Sequence, residues 1–166
     1  SGIHYLENGG SGSSPSFENV ELITSVYGVS FPALGDLDGD GDLDLLLGNY
    51  YEDSFFTYNA RFQYYENTGS PSSPTFSTSA NVDPYGLTGV PDYPAPALVD
   101  LDGDGDLDIL VGDYDGNVFY YENIGTSSSP SFGAPDTNPF GLDESIIGFG
   151  LNKASVAVGD LDLDGD

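Results

Sequence analysis

Three stretches of the chain alternate apolar or glycine positions with aspartate: "GDLDGDGDLDLLLG" at 35–48, "VDLDGDGDLDILVG" at 99–112 and "GDLDLDGD" at 159–166. Around them the apolar residues come in short runs bounded by Gly, Pro, Asn or Ser, which is the pattern of strands and tight turns. "FPALGD", "PALVD" and "SVAVGD" lead into the acidic stretches, and "LDLLLG" and "LDILVG" lead out of them. "RFQYYEN" and "NVFYYEN" follow as aromatic runs, and a looser stretch with a further short strand comes after "SSPTF" and "SSPSF". No segment sustains a helical period between caps, and 23 Gly and 11 Pro suit a chain of many turns. The pattern predicts an all-β protein built from tandem four-stranded antiparallel units.

The units repeat. Asp36 to Asp100 spans 64 residues and Asp100 to Asp160 spans 60. A second element keeps the same rhythm: "HYLENGGSGSSPSF" from His4, "YYENTGSPSSPTF" from Tyr64 and "YYENIGTSSSPSF" from Tyr120, which makes Glu7, Glu66 and Glu122 equivalent positions. The first full repeat carries eight extra residues within "YYEDSFFTYNARF". These offsets divide the chain into a partial repeat (1–34), repeat 1 (35–98), repeat 2 (99–158) and the start of a third (159–166). A unit of this size matches a propeller blade, which must bury its faces against neighbours, and a closed propeller takes about 4 to 8 blades. We therefore expect an excerpt of a longer array, or a piece that completes itself against further copies.

The acidic stretches have the donor set of a calcium site. In the first, Asp36, Asp38, Asp40, Asp42 and Asp44 occupy positions 1, 3, 5, 7 and 9; in the second, Asp100, Asp102, Asp104, Asp106 and Asp108 do. Hard oxygen donors at this density, with no His or Cys among them, select Ca²⁺ over zinc or copper. Gly41, Gly105 and Gly165 fall at position 6, where a sharp turn favours positive φ. Position 12 is Leu47 or Val111, so the bidentate Glu of an EF-hand is missing, and the closing carboxylate must be Asp44 or Asp108. Asp42 and Asp106 are expected to offer backbone carbonyls and keep solvated side chains. In the third copy Leu163 stands at position 4, Asp160, Asp162, Asp164 and Asp166 complete the candidate ligands, and position 9 is not reached.

These residues resemble the FG-GAP and VCBS-type calcium repeats, which form blades in the integrin α-subunit propeller, in many secreted bacterial proteins and in some lectins. The two calcium turns match closely, and "FG" at 149–150 followed by "VGD" at 158–160 matches the motif's opening. The resemblance implies that Asp36, Asp38, Asp40 and Asp44, with Asp100, Asp102, Asp104 and Asp108, bind Ca²⁺ on one rim of the blades. "FPALGD" and "PALVD" depart from the FG element, and the "ENxGSxSSPxF" segment lies outside the general pattern.

Charge then narrows the partners. Against 28 Asp and Glu stand two strong bases, Arg61 and Lys153, for a net charge of −26. Such a surface repels phosphate backbones and anionic lipid, so nucleic acid and bare membrane are poor partners, and with no apolar run near about 18 residues no membrane insertion is expected. With 12 Tyr and 10 Phe the chain has the apolar material of a folded domain. Three Ca²⁺ ions would bring the charge only from −26 to −20, so they act as local glue. The absence of Cys removes disulfides and thiolate chemistry.

Glu7, Glu66 and Glu122 recur once per repeat, as supports of a repeat's own geometry do, and His4 takes a surface place; no catalytic constellation stands out. The aromatic runs are expected to pack between repeats, with Tyr50, Tyr51, Phe55, Phe56 and Tyr58 of the insertion the best candidates for a specific contact. Extracellular calcium is high enough to fill sites with dissociation constants of about 10⁻⁴ to 10⁻³ M, which points outside the cell. The expected function is a calcium-stabilised extracellular repeat protein, structural or adhesive, with self-association into a filament or larger array. The alternatives are a carbohydrate-binding propeller and non-catalytic blades attached to a secreted enzyme.

Overall fold

The computed structural model describes residues 2–142 and 154–159. The first two strands, β1 (Gly2–Asn8) and β2 (Phe17–Ser25), form an antiparallel hairpin. A four-stranded antiparallel meander follows, made of β3 (Val29–Gly35), β4 (Asp44–Glu52), β5 (Tyr58–Tyr65) and the two-residue β6 (Asn81–Val82). A second meander repeats it with β7 (Ala95–Val99), β8 (Asp108–Gly112), β9 (Val118–Tyr121) and β10 (Asp136–Thr137). The all-β prediction and the four short strands per repeat hold. Pro32 and Pro96 sit in β3 and β7, the edge strands, where the missing N–H breaks no ladder. The sheets are open, and no closed barrel or propeller forms among the described residues.

The sequence also predicts a strand in "SVAVGD", but the described part of it, 155–159, joins no ladder. A strand needs a hydrogen-bonded neighbour, and none runs beside this segment among the described residues. It is tethered instead by the Ala154 N–H, which donates to the Asp113 carbonyl at 2.7 Å.

The sheets stack in layers, which explains why "LDLLLG" is continuously apolar where a half-exposed strand would alternate. On one face of β4, Leu45 and Leu47 join Tyr65 and Val26 and meet Ile3 and Ile23 of the hairpin. On its other face Leu46, with Phe62 and Tyr64, meets Ile109, Val111 and Tyr121 of the second sheet. The far face of that sheet, Leu110, Val118 and Tyr120, meets Leu142 and Val156. Close approach is permitted by glycine: a Cβ on Gly48 would lie 1.9 Å from the Pro94 carbonyl oxygen, and one on Gly112 would lie 2.4 Å from that of Ala154. Pro94 and Ala154 both stand six residues before the first aspartate of a loop, at Asp100 and Asp160. The contact between repeats is therefore made twice by equivalent residues.

The eight extra residues of repeat 1 lengthen one hairpin. Strand β4 has 9 residues against 5 in β8, and β5 has 8 against 4 in β9, so each arm gains four. The connecting loops, 53–57 and 113–117, are equal in length.

Candidate metal centre

Each acidic stretch is the turn between the first and second strands of a meander, β3 to β4 and β7 to β8. In-register pairing of Gly35 with Asp44 and of Val99 with Asp108 closes its ends. Within the turn, short-range hydrogen bonds orient the carboxylates. Asp36 Oδ2 accepts from the Gly41 N–H (3.0 Å), Asp38 Oδ1 from Asp40 N–H (3.3 Å) and Asp40 Oδ1 from Asp42 N–H (3.1 Å). The second turn repeats the pattern through Asp100, Asp102 and Asp104. Gly41 and Gly105 adopt φ of 98° and 95°, the positive values expected at position 6.

The result is convergence. Asp36, Asp38 and Asp40 each bring a carboxylate oxygen within 4.8 Å of the others, and Asp100, Asp102 and Asp104 do the same. In the first turn, Asp36 Oδ1 and Asp42 Oδ1 are buried without a hydrogen-bond partner. Carboxylate oxygens withdrawn from water and left without donors fit a divalent cation, which would supply the missing positive partner. The Asp42 carboxyl is pushed above its ordinary range, first by desolvation and then by the negative charges of Asp40, Asp38 and Asp36.

Two placements differ from the sequence expectation. The Asp42 side chain is 6% exposed, because the turn brings it to the Asn67 side chain, and Asp106 is half-buried. Asp44 and Asp108 stand at the foot of the turns, each 1% exposed, and outside the converging trios. Asp44 Oδ2 accepts from Leu37 N–H (3.2 Å) and the Tyr64 hydroxyl (2.8 Å), and Oδ1 from Asn67 N–H (2.9 Å). Asp108 repeats all three contacts with Leu101, Tyr120 and Asn123. Burial raises the Asp44 carboxyl, and the Asn67 and Tyr64 donors partly oppose the rise. Burial, then hydrogen bonding, pushes the Tyr64 hydroxyl upward, by way of Tyr85 and then Asp44. Position 9 thus joins the acidic turn to the "YYENxG" element. Asp160, Asp162, Asp164 and Asp166 lie outside the described residues.

In that element the residue that supports the geometry is the asparagine. Glu66 and Glu122 are exposed, whereas Asn67 and Asn123 are 2% and 3% exposed. Asn67 Oδ1 accepts from Gly69 and Thr75 N–H (3.1 and 2.8 Å), Asn123 Oδ1 from Gly125 and Ser131, and Asn8 Oδ1 from Gly10 and Ser16. Each asparagine pins both ends of its "GSxSSP" turn. The "EN" pair of the three "ENxG" segments was the available signal, but it pointed equally at Glu.

A third repeated motif escaped the sequence reading. "DPYGL" and "NPFGL" form 3-10 turns at Pro84–Gly86 and Pro139–Gly141, with left-handed Asp83 and Asn138 at φ 47° and 52°. Their side chains accept from Phe62 N–H (3.0 Å) and Val118 N–H (2.9 Å), on β5 and β9. The shared Pro-aromatic-Gly-Leu would have revealed it. The aromatics of the insertion divide: Tyr50 stacks on Tyr58 (5.7 Å) and on Tyr93 (4.1 Å), which meets Tyr114 of repeat 2 (5.2 Å), while Phe55 and Phe56 are each 84% exposed.

A model of the FG-GAP-like repeat matches residues 36–111 and 100–166, each match beginning on the first aspartate of an acidic turn. Comparison with curated proteins and with solved structures finds no match.

Proposed function

We propose, for a chain that belongs to the FG-GAP-like repeat family, a calcium-stabilised extracellular repeat protein with a structural or adhesive role. The observation that carries this reading is the pair of equivalent carboxylate trios, the first of which, with the adjoining Asp42, holds buried oxygens that no protein donor reaches. Asp36, Asp38 and Asp40 would hold one ion and Asp100, Asp102 and Asp104 the other, with the carboxylates of Asp44 and Asp108 behind them. The ion neutralises a cluster that otherwise repels itself, and its binding free energy becomes folding free energy. The reading is non-catalytic: the buried carboxylates beside the trios serve hydrogen-bonded geometry in each repeat.

The four-stranded sheets would be blades of propeller type within a longer array, because equivalent glycines carry the contact from one repeat to the next. Such propagation also supports self-association or docking of neighbouring repeats. An extracellular setting supplies calcium at the concentration weak sites require. No helix of the described residues is long and apolar enough to cross a membrane, which says nothing of strands. A carbohydrate-binding role has less support, since the faces of Tyr50 and Tyr93 are stacked on other rings.

Thermal unfolding with and without Ca²⁺ tests the calcium reading. Ligand binding at about 100 times Kd stabilises by about 2.7 kcal/mol per site, so Ca²⁺ at about 10 mM, about 100 times a Kd of about 10⁻⁴ M, should raise Tm by several degrees over excess EDTA. An unchanged Tm removes calcium from the function.

A further inference from the structure

The two acidic turns share the nine residues "DLDGDGDLD", so any difference between them comes from what packs around them. They differ consistently. Leu37 is 2% exposed and Leu101 is 38% exposed. Asp36 and Asp38 are half-buried, whereas Asp100 and Asp102 are exposed. The backbones match, with φ of 74° at Gly39 and 78° at Gly103. One neighbour that only the first loop has is the "GTSSSP" turn of repeat 2: a Cβ on Gly39 would lie 2.9 Å from the carbonyl carbon and oxygen of Ser127 and 3.2 Å from the Ser128 nitrogen. A Cβ on Gly103 would meet nothing within 4 Å.

We propose that the serine turn of one repeat is the cover of the preceding repeat's calcium loop, so that calcium binding at 36–40 and docking of the next repeat are one coupled event. This rests on the calcium reading above and adds the residues that set affinity. The turn is built to hold a fixed shape. Thr126 and Ser129 exchange backbone hydrogen bonds (3.2 and 2.9 Å), and Asn123 ties both of its ends. Its packing against Gly39 goes with a partial withdrawal of the first trio from water, Asp36 and Asp38 being half-buried while Asp40 stays exposed. Less water strengthens attraction between carboxylates and a cation and raises their mutual repulsion without one, and both effects tighten binding. In a chain of these 166 residues, whose described part places no serine turn over Gly103, two loops of identical sequence should then bind calcium with different affinity, the 36–40 site being the tighter. The assignment concerns the first two copies, since the third carries Leu163 at the glycine position.

Calorimetric Ca²⁺ titration of the full chain tests the coupling. Asp40→Asn should abolish the tight class of sites and Asp104→Asn a weaker one. Gly39→Ala and Gly103→Ala impose the same left-handed strain, so their difference isolates the serine turn. Gly39→Ala should weaken the tight class by about tenfold or more, equivalent to about 1.4 kcal/mol, and Gly103→Ala should leave it unchanged. Amide hydrogen exchange supplies a readout independent of the folding of Gly39→Ala: Ca²⁺ should protect 126–129 in the native chain and in Asp104→Asn but not in Asp40→Asn. Equal effects of the two glycine substitutions, or protection that survives Asp40→Asn, would overturn the coupling and leave the calcium reading intact. A native chain that takes up no Ca²⁺ would overturn the calcium reading itself.

Discussion

The buried aspartates set how the chain responds to protons. Asp42 and Asp44 both have carboxyls raised above the ordinary 3.8, with burial as the first cause. In the ion-free chain the folded state therefore binds these protons more tightly than the unfolded state does. Linkage then makes stability rise as pH falls through the raised values toward 3.8, and decline as pH climbs back through them. Asp53 acts oppositely: backbone donors at Thr57 and Phe55 lower its carboxyl, so its contribution is present above 3.8 and lost below its own lowered value. Because the raised groups titrate above the window of Asp53, mild acidification should raise the Tm of EDTA-treated protein. With saturating Ca²⁺ the same acidification should lower Tm, since protons compete with the ion for its carboxylates. Thermal scans from neutral pH down to just above the carboxylate range check both signs; equal slopes with and without calcium would refute the argument.

At the level of elements, the "ENxG" asparagines make a graded series. Asn67 and Asn123 are buried and each holds two backbone donors, while Asn8 makes the equivalent pair of bonds in an exposed turn. Alanine at a buried position leaves donors that water reaches poorly, at about 1–3 kcal/mol, whereas water replaces the lost partner at an exposed one. Urea unfolding should show Asn67→Ala and Asn123→Ala destabilised within that range and Asn8→Ala nearly neutral; a large effect at Asn8 would mean that the turn's own strain sets its stability. The same element marks the limit of what the sequence discloses. The acidic turns were legible because carboxylates at every second residue, with glycine at position 6, leave few other chemistries. The strands were legible from runs of Leu, Ile and Tyr. Which member of a recurring "EN" pair turns inward depends on the register of Tyr65 and Tyr121 against β4 and β8, which periodicity does not determine. Left-handed Tyr85 and Phe140, at φ 56° and 57°, were hidden for a related reason: bulky residues are rare there, so "DPYGL" reads as an ordinary turn.

Over the whole molecule, electrostatics has two separable parts. A net charge of −26 spread over the surface repels itself in every compact arrangement, and mobile ions relieve this without binding anywhere. At about 0.15 M salt the screening length is about 8 Å, longer than the 4.8 Å within which the trio oxygens lie. Monovalent salt therefore weakens repulsion between distant carboxylates while leaving the trios strained. Raising NaCl should increase the Tm of the EDTA-treated chain gradually and without saturation. Calcium added on top, at a concentration that barely changes ionic strength, should give a further saturable increase. Magnesium at the same concentration should give much less of it, because Mg²⁺ keeps its waters and demands near-ideal octahedral geometry, whereas Ca²⁺ accepts irregular sets of oxygens. If NaCl alone brought the ion-free chain to the calcium plateau, general screening would account for the stability and the trios would hold no ion. A calcium increment that persists at high salt would place the stabilising charge inside the turns, where the salt cloud does not reach.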